Sequence, residues 1–289
     1  MTCVAPSSCS SRDGCIDTVC TTRAQWSAAA AAATRSAPHT GNKEKHISLC
    51  VFLGSTMKMS WPKVILFGDS LSQFAFSEGG WGSSLANLLQ RKCDVLNRGF
   101  SGYNSTWGRI ALPRCIPKED IPYIAMVTIF FGANDSVLEE TRGAKFVSLD
   151  DFSANLQDMV QYLVDGGMQS DNIIIISPPP LDDKVWSKGC LKNDSPVNRK
   201  NSNTGLYAKA CCRVSKECSV ECLDVWTLMQ EEQNWQRFLV DGLHLSEEGS
   251  RFLGQHLLRM AEVRTSKLST QLPDWKDIDV ANPEKSFPS

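Results

Sequence analysis

Residues 64–73 read VILFGDSLSQ. Val64–Phe67 is short and wholly apolar, with two β-branched residues leading, the pattern of a strand buried on both faces. Gly68 breaks the run, and an acid and two hydroxyls follow at Asp69, Ser70 and Ser72. Two readings fit. Gly-Asp-Ser is ordinary turn chemistry after a strand. The same residues also place a serine hydroxyl at the carboxyl end of a strand, where active sites of open parallel sheets gather. The choice depends on whether the chain also supplies a parallel sheet and chemical partners for the serine.

The sheet is legible downstream. Asp94–Asn97 reads as a second strand. Ile124–Phe131 is the strongest, rich in β-branched and aromatic residues. Asn172–Ser177 is a fourth, stopped by three prolines, and Val220–Leu223 a weak fifth. Helical periodicity fills the gaps at Trp81–Lys92, Ser105–Cys115, Phe152–Asp165 and Leu206–Val214. Asp150 or Asp151 is expected to cap the third of these, and Gly166-Gly167 to end it. A last helix starts after Ser246. Apolar strands alternating with helices imply an α/β fold, a three-layer α/β/α sandwich around a parallel sheet.

Composition narrows the function. With 289 residues and 42% hydrophobic content the chain can bury one sizeable core, or at most two. The net charge is −2 without a block of Lys and Arg, which argues against nucleic acid or an anionic membrane as partner. The longest apolar run, near residues 124–133, is too short to span a bilayer. Twelve cysteines are scattered without a C-x-x-C pair or a neighbouring histidine. Cys218 and Cys222, beside Cys211 and Cys212, form only a faint metal pattern. Free thiols in a reducing compartment are expected, and with them an intracellular, cytoplasmic setting.

Residues 1–58 differ from the rest. They are rich in Ser, Ala, Thr and Cys, with an alanine tract between Ser27 and Thr34. They read as a disordered or alternative leader able to alter targeting, although Asp13 and Asp17 sit badly in a transit peptide. One folded domain is expected over 59–289, with a C-terminal tail from about 266. The polar stretch 182–205 is expected to be a mobile lid or rim loop.

A nucleophilic serine needs a base, and histidine is the usual one. There are four histidines. His39 and His46 lie in the leader, and His256 falls on the apolar stripe of the last helix. His244 is left, in VDGLHLSEEG (240–249), with Asp241 three residues before it. On a tight loop that spacing lets a carboxylate face an imidazole, and a helix-entry turn capped by Ser246 explains it equally well. Two further strand-end loops offer oxyanion donors: NRGFSGYNS (97–105) with Gly102, and FFGANDS (130–136) with the Asn134 side chain. Each alone is also a plain Gly/Asn turn.

Taken together, GDSL (68–71), the Gly102 loop, GAND (132–135) and DGLH (241–244) resemble the four blocks of the SGNH, or GDSL, hydrolases. The resemblance covers roughly residues 61–265. It implies Ser70 as nucleophile with Asp241 and His244 as its partners. It implies an oxyanion hole from the N–H of Ser70, the N–H of Gly102 and the side chain of Asn134. Asp69 and Asp135 become loop braces. The implied activity is that of a serine esterase for small acyl esters such as acetates, with a small-molecule substrate and no metal or organic cofactor. Lysophospholipase, thioesterase and sugar-ester deacetylase activities stay open, as does a catalytically silent scaffold with this fold. The α/β-hydrolase alternative fits less well, because Ser72 stands where G-x-S-x-G needs its second glycine.

Overall fold

Val64–Phe67 lies in strand β1 (Lys63–Gly68), an interior strand of the sheet rather than an edge. The computed structural model describes residues 61–141 and 145–288, so the expected leader at 1–58 lies outside the described residues. From β1 the chain enters a one-turn helix α1 (Ser70–Gln73), then α2 (Trp81–Leu88), β2 (Asp94–Gly99) and α3 (Ser105–Cys115). There follow β3 (Ile124–Phe130), α4 (Leu149–Asp165), β4 (Ile173–Ile176), α5 (Asp183–Lys192) and α6 (Asn201–Glu217). β5 (Glu221–Leu223), α7 (Val225–Gln230) and α8 (Glu247–Thr265) complete the domain.

All four strand pairings are parallel, in the order β2-β1-β3-β4-β5. Between β2 and β3 the chain crosses β1, so β1 and β3 flank the topological switch point. Side-chain alternation splits the core into two layers. Val64, Leu66, Met126, Phe130, Ile174 and Ile176 face α2 and α8. Ile65, Phe67, Val127, Ile129, Ile173 and Ile175 face α3, α4 and α6. Both faces of the central strands are therefore dry, which accounts for their largely apolar sequence, broken only by the buried Thr128 in β3. The three-layer α/β/α sandwich is the expected one.

Three expectations change in detail. α4 is capped by Ser148, not by Asp150 or Asp151. Its hydroxyl oxygen accepts from the Asp151 N–H at 3.1 Å, and the hydroxyl donates to the Asp151 carboxylate at 2.7 Å. The apolar stripe begins only at Phe152, which hid the first half-turn. Segment 182–205 is no structureless loop. Asp182 caps α5 by accepting from the N–H groups of Lys184 and Val185, and α6 starts at Asn201. α5 buries only Cys190, so it carries no stripe for periodicity to detect. α7, capped by Asp224, was likewise too short to stand out. The expected tail after Thr265 folds back on Arg91, whose guanidinium donates to the carbonyls of Leu272 and Pro273.

Among the described residues no helix is long and apolar enough to cross a membrane, and no group of three or more His, Cys, Asp or Glu could hold a metal ion. The seven described cysteines are free thiols, with Cys212 and Cys222 Sγ 3.1 Å apart.

Phe152 is fully buried and meets Tyr207 edge to face at 5.1 Å, joining α4 to α6. Phe152→Ala is expected to lower stability by about 3–5 kcal/mol, read from urea midpoints at unchanged slope. A loss below about 1 kcal/mol would show that this contact does not anchor the layer.

Candidate active site

Each expected site residue lies just beyond the carboxyl end of a strand or on the loop before α8. β1 brings Ser70 to the rim. Gly68 is required there by close approach: a Cβ at this position would stand 2.4 Å from the Phe130 carbonyl oxygen and 2.4 Å from Ser72 Oγ. Asp69 then caps α1, its carboxylate accepting from the Leu71 N–H at 2.9 Å. Ser70 thus becomes the first residue of a helical turn, with no carbonyl four residues back for its N–H to meet. Ser70 is 6% exposed.

Ser70 Oγ lies 3.0 Å from His244 Nε2, and His244 Nδ1 lies 2.8 Å from an oxygen of Asp241. The other Asp241 oxygen accepts from the N–H groups of Leu243 and His244 at 2.9 and 2.8 Å. Partial burial pulls the Asp241 pKa up. The hydrogen bonds from the His244 ring and from the His244 and Leu243 amides outweigh it and hold this carboxyl well below the usual carboxylate range. An ionised Asp241 can only accept, so the imidazole proton sits on Nδ1 and Nε2 is left to accept from the Ser70 hydroxyl. Phe74, half exposed, meets the His244 ring edge-on at 5.9 Å.

The two expected oxyanion loops meet behind this serine. Gly102 has φ +83°, a backbone conformation that favours glycine, which turns the loop after β2. Asn134, 4% exposed, donates from its amide to the Tyr103 carbonyl at 2.8 Å. Asp135 ties the same loops together. One of its oxygens accepts from the Ser105 N–H at 2.8 Å, the other from the Gly132 N–H at 3.1 Å. Both acids therefore brace loops, as expected. They do so at an electrostatic cost, because burial pushes Asp69 up to about 7 and Asp135 up to about 6.

Sequence reasoning missed two cations. Arg199, 5% exposed, donates to the Ala133 carbonyl and, at 3.0 Å, to Asn134 Oδ1. Lys145 covers Gly102, its Nζ 3.3 Å from where a Cβ would stand. Neither lies in a motif, and no spacing links them to the blocks they serve. Of the aromatics that follow the site loops, Trp81 is core, its indole N–H donating to the Leu71 carbonyl at 3.0 Å. Tyr103 stacks on Phe100 and borders the Asn134 loop, and Trp107 stays partly exposed. His256 packs against Phe252 on α8, away from this relay. A cavity of about 530 Å³ borders Asp241, lined by Trp186, Cys190, Pro196 and Asn198 among others.

A serine at the end of β1, an imidazole and carboxylate on the loop before α8, and donors at the ends of β2 and β3 define the architecture of an ester hydrolase. The model of the GDSL-like Lipase/Acylhydrolase family matches residues 66–252, and this chain belongs to that family of ester hydrolases. It is 49% identical over 243 residues to the isoamyl acetate-hydrolyzing esterase 1 homolog of Rattus norvegicus, covering 83% of this chain and 98% of the relative. It is 40% identical over 237 residues to a GDSL esterase/lipase of Arabidopsis thaliana, covering 78% of this chain and 97% of that one. Among solved structures, a lipase/acylhydrolase from Enterococcus faecalis shares the fold at TM-score 0.57 and 24% identity. That match covers 73% of this chain and all of the other. An acetylxylan esterase from Geobacillus stearothermophilus shares the fold at TM-score 0.52 and 18% identity, over 71% and 96% of the two chains.

The raised pKa of Asp69 has a consequence for stability. An acid whose folded pKa exceeds its unfolded value binds its proton more readily when folded. Stability therefore falls as pH rises from the ordinary carboxylate value of 3.8 through about 7. Asp69→Asn keeps an oxygen to cap Leu71 and removes the buried charge. It is expected to flatten that fall, gaining on the order of 1–3 kcal/mol over wild type at pH 8 relative to pH 5 in urea titrations. Parallel pH profiles for the two proteins would exclude Asp69 as the source.

Proposed function

We propose that the protein is a serine esterase that hydrolyses small acyl, acetate-type carboxylic esters through an acyl-enzyme on Ser70. The observation that carries this reading is the unbroken relay from Ser70 Oγ through His244 to Asp241, at 3.0 and 2.8 Å. In the first half-reaction His244 Nε2 takes the Ser70 proton as Oγ attacks the ester carbonyl. Asp241 holds the ring in the tautomer that leaves Nε2 free and stabilises the imidazolium that forms. The negative charge on the carbonyl oxygen falls to the N–H groups of Ser70 and Gly102 and to the amide of Asn134. His244 returns the proton to the departing alkoxide, and the alcohol leaves. Water repeats the steps on the acyl-enzyme, releasing the acid and regenerating the serine. These residues complete both half-reactions by themselves.

The preference for short acyl groups draws support from the animal relatives, whose name specifies isoamyl acetate hydrolysis. Free thiols at all seven described cysteines are compatible with the intracellular, cytoplasmic setting inferred from composition.

Hydrolysis of p-nitrophenyl esters from acetate to palmitate tests the reading. Wild type is expected to favour acetate and butyrate. Ser70→Ala should fall to the uncatalysed background, and Asn134→Ala should lose about a hundredfold or more in kcat. Equal rates for wild type and Ser70→Ala on every ester would end the serine mechanism. A preference for long chains, thioesters or acetylated sugars would replace the substrate class and leave the mechanism standing.

A further inference from the structure

Arg199 lies 65 residues from Asn134 in sequence, in the connection between α5 and α6, yet its guanidinium reaches the loop after β3. One nitrogen donates to the Ala133 carbonyl and another to Asn134 Oδ1 at 3.0 Å. The fork is held from its own side. The guanidinium lies 5.3 Å from the centre of the Trp186 ring, and the Trp186 indole N–H donates to Asn198 Oδ1 at 3.1 Å. The Asn198 carbonyl in turn accepts from the Leu138 N–H at 2.8 Å. α5 also braces the other half of the site, since the Asp182 N–H donates to the Gly242 carbonyl at 2.9 Å, between Asp241 and His244.

This arrangement resolves an ambiguity in the Asn134 side chain. A primary amide can flip, exchanging an acceptor oxygen for a donor NH2. Here one end faces a guanidinium, which only donates, and the other faces the Tyr103 carbonyl, which only accepts. Only one orientation satisfies both. The NH2 is forced to the Tyr103 side, with one N–H used there and the second left for a substrate oxygen. A charged donor on Oδ1 also draws electron density from the amide nitrogen, which strengthens that remaining N–H as a donor.

We propose that Arg199 is a positioning residue for ester hydrolysis: it locks and polarises the Asn134 amide so that its free N–H meets the developing oxyanion. The inference rests on the oxyanion role proposed for Asn134. It also explains why a cation is buried here with its Nε lacking a partner among the described residues. Asp69, Asp135 and Asp241 supply the compensating field.

The test is a double-mutant cycle on p-nitrophenyl acetate with wild type, Arg199→Met, Asn134→Ala and the double variant. Arg199→Met is expected to lower kcat about 10- to 100-fold with KM changed less than about threefold. In the Asn134→Ala background the same substitution should cost less than about threefold more, because the group it positions is gone. A merely structural role would lower kcat by the same factor in both backgrounds. Should Arg199→Met fail to fold by near-UV circular dichroism, Arg199→Lys carries the cycle. An ammonium keeps the charge among the acids but cannot span both acceptors as the planar fork does. Multiplicative losses, a change confined to KM, or wild-type kcat in the Arg199 variants would overturn this inference while a slow Asn134→Ala left the oxyanion reading intact. Wild-type kcat in Asn134→Ala would overturn both.

Discussion

The site depends on how β1 ends. At Gly68 the strand is still bonded to both neighbours: the Gly68 carbonyl accepts from the Phe100 N–H at 2.8 Å, and the Asp69 N–H donates to the Phe130 carbonyl at 3.2 Å. Three strand ends are thereby fixed to one another at the switch point, and the loops that leave them carry Ser70, Gly102 and Asn134. The approach is closer than any side chain at residue 68 allows. The apolar strands beneath make the platform rigid, since both faces are packed and the pleat cannot slip without exposing a whole layer.

Charge is the second constraint. Asp69 and Asp135 are fully buried immediately under the rim, and each gives up hydration to hold loop amides in place. Each would be unfavourable alone. Arg199 enters the same space from a distant segment and offsets part of their field, while its hydrogen bonds go to the loop that carries Asn134. Arg199, Asn134 and Asp135 are joined through the loop after β3, and Asp69 caps the turn that opens on Ser70. His244 meets Ser70 from a more exposed loop, with its ring and the Asp241 carboxylate both partly open to solvent.

Much of this was legible in the sequence, for identifiable reasons. The central strands announce themselves because burial on both faces demands apolar runs, continuous in Val64–Phe67 and Ile173–Ile176 and broken only by Thr128 in Ile124–Phe130. Asp241 and His244 were found because their contact is local, three residues apart, and histidine is scarce in this chain. The loops that hold Ser70, Gly102 and Asn134 are legible because strand ends on one rim are predictable once the sheet is parallel, while their grouping into one site comes from the resemblance of the four blocks. What was illegible is long-range and polar. Arg199 meets Asn134 across 65 residues with no periodicity to mark it. α5 was invisible because a helix that buries one cysteine has no stripe. The Ser148 cap was missed because the first residues of α4 precede its apolar face. The segment 182–205 lines the cavity beside Asp241 and is fastened to Gly242 through the backbone and to Asn134 through Arg199.

In the proposed mechanism Ser70 carries the acyl group between two half-reactions. Intact-protein mass spectrometry after rapid acid quench from p-nitrophenyl acetate tests it directly. One acetyl adduct is expected in the steady state, localised by peptide mapping to Ser70 and absent from Ser70→Ala. An active wild-type protein labelled reproducibly at another residue, or Ser70→Ala turning over at the wild-type rate, would contradict it.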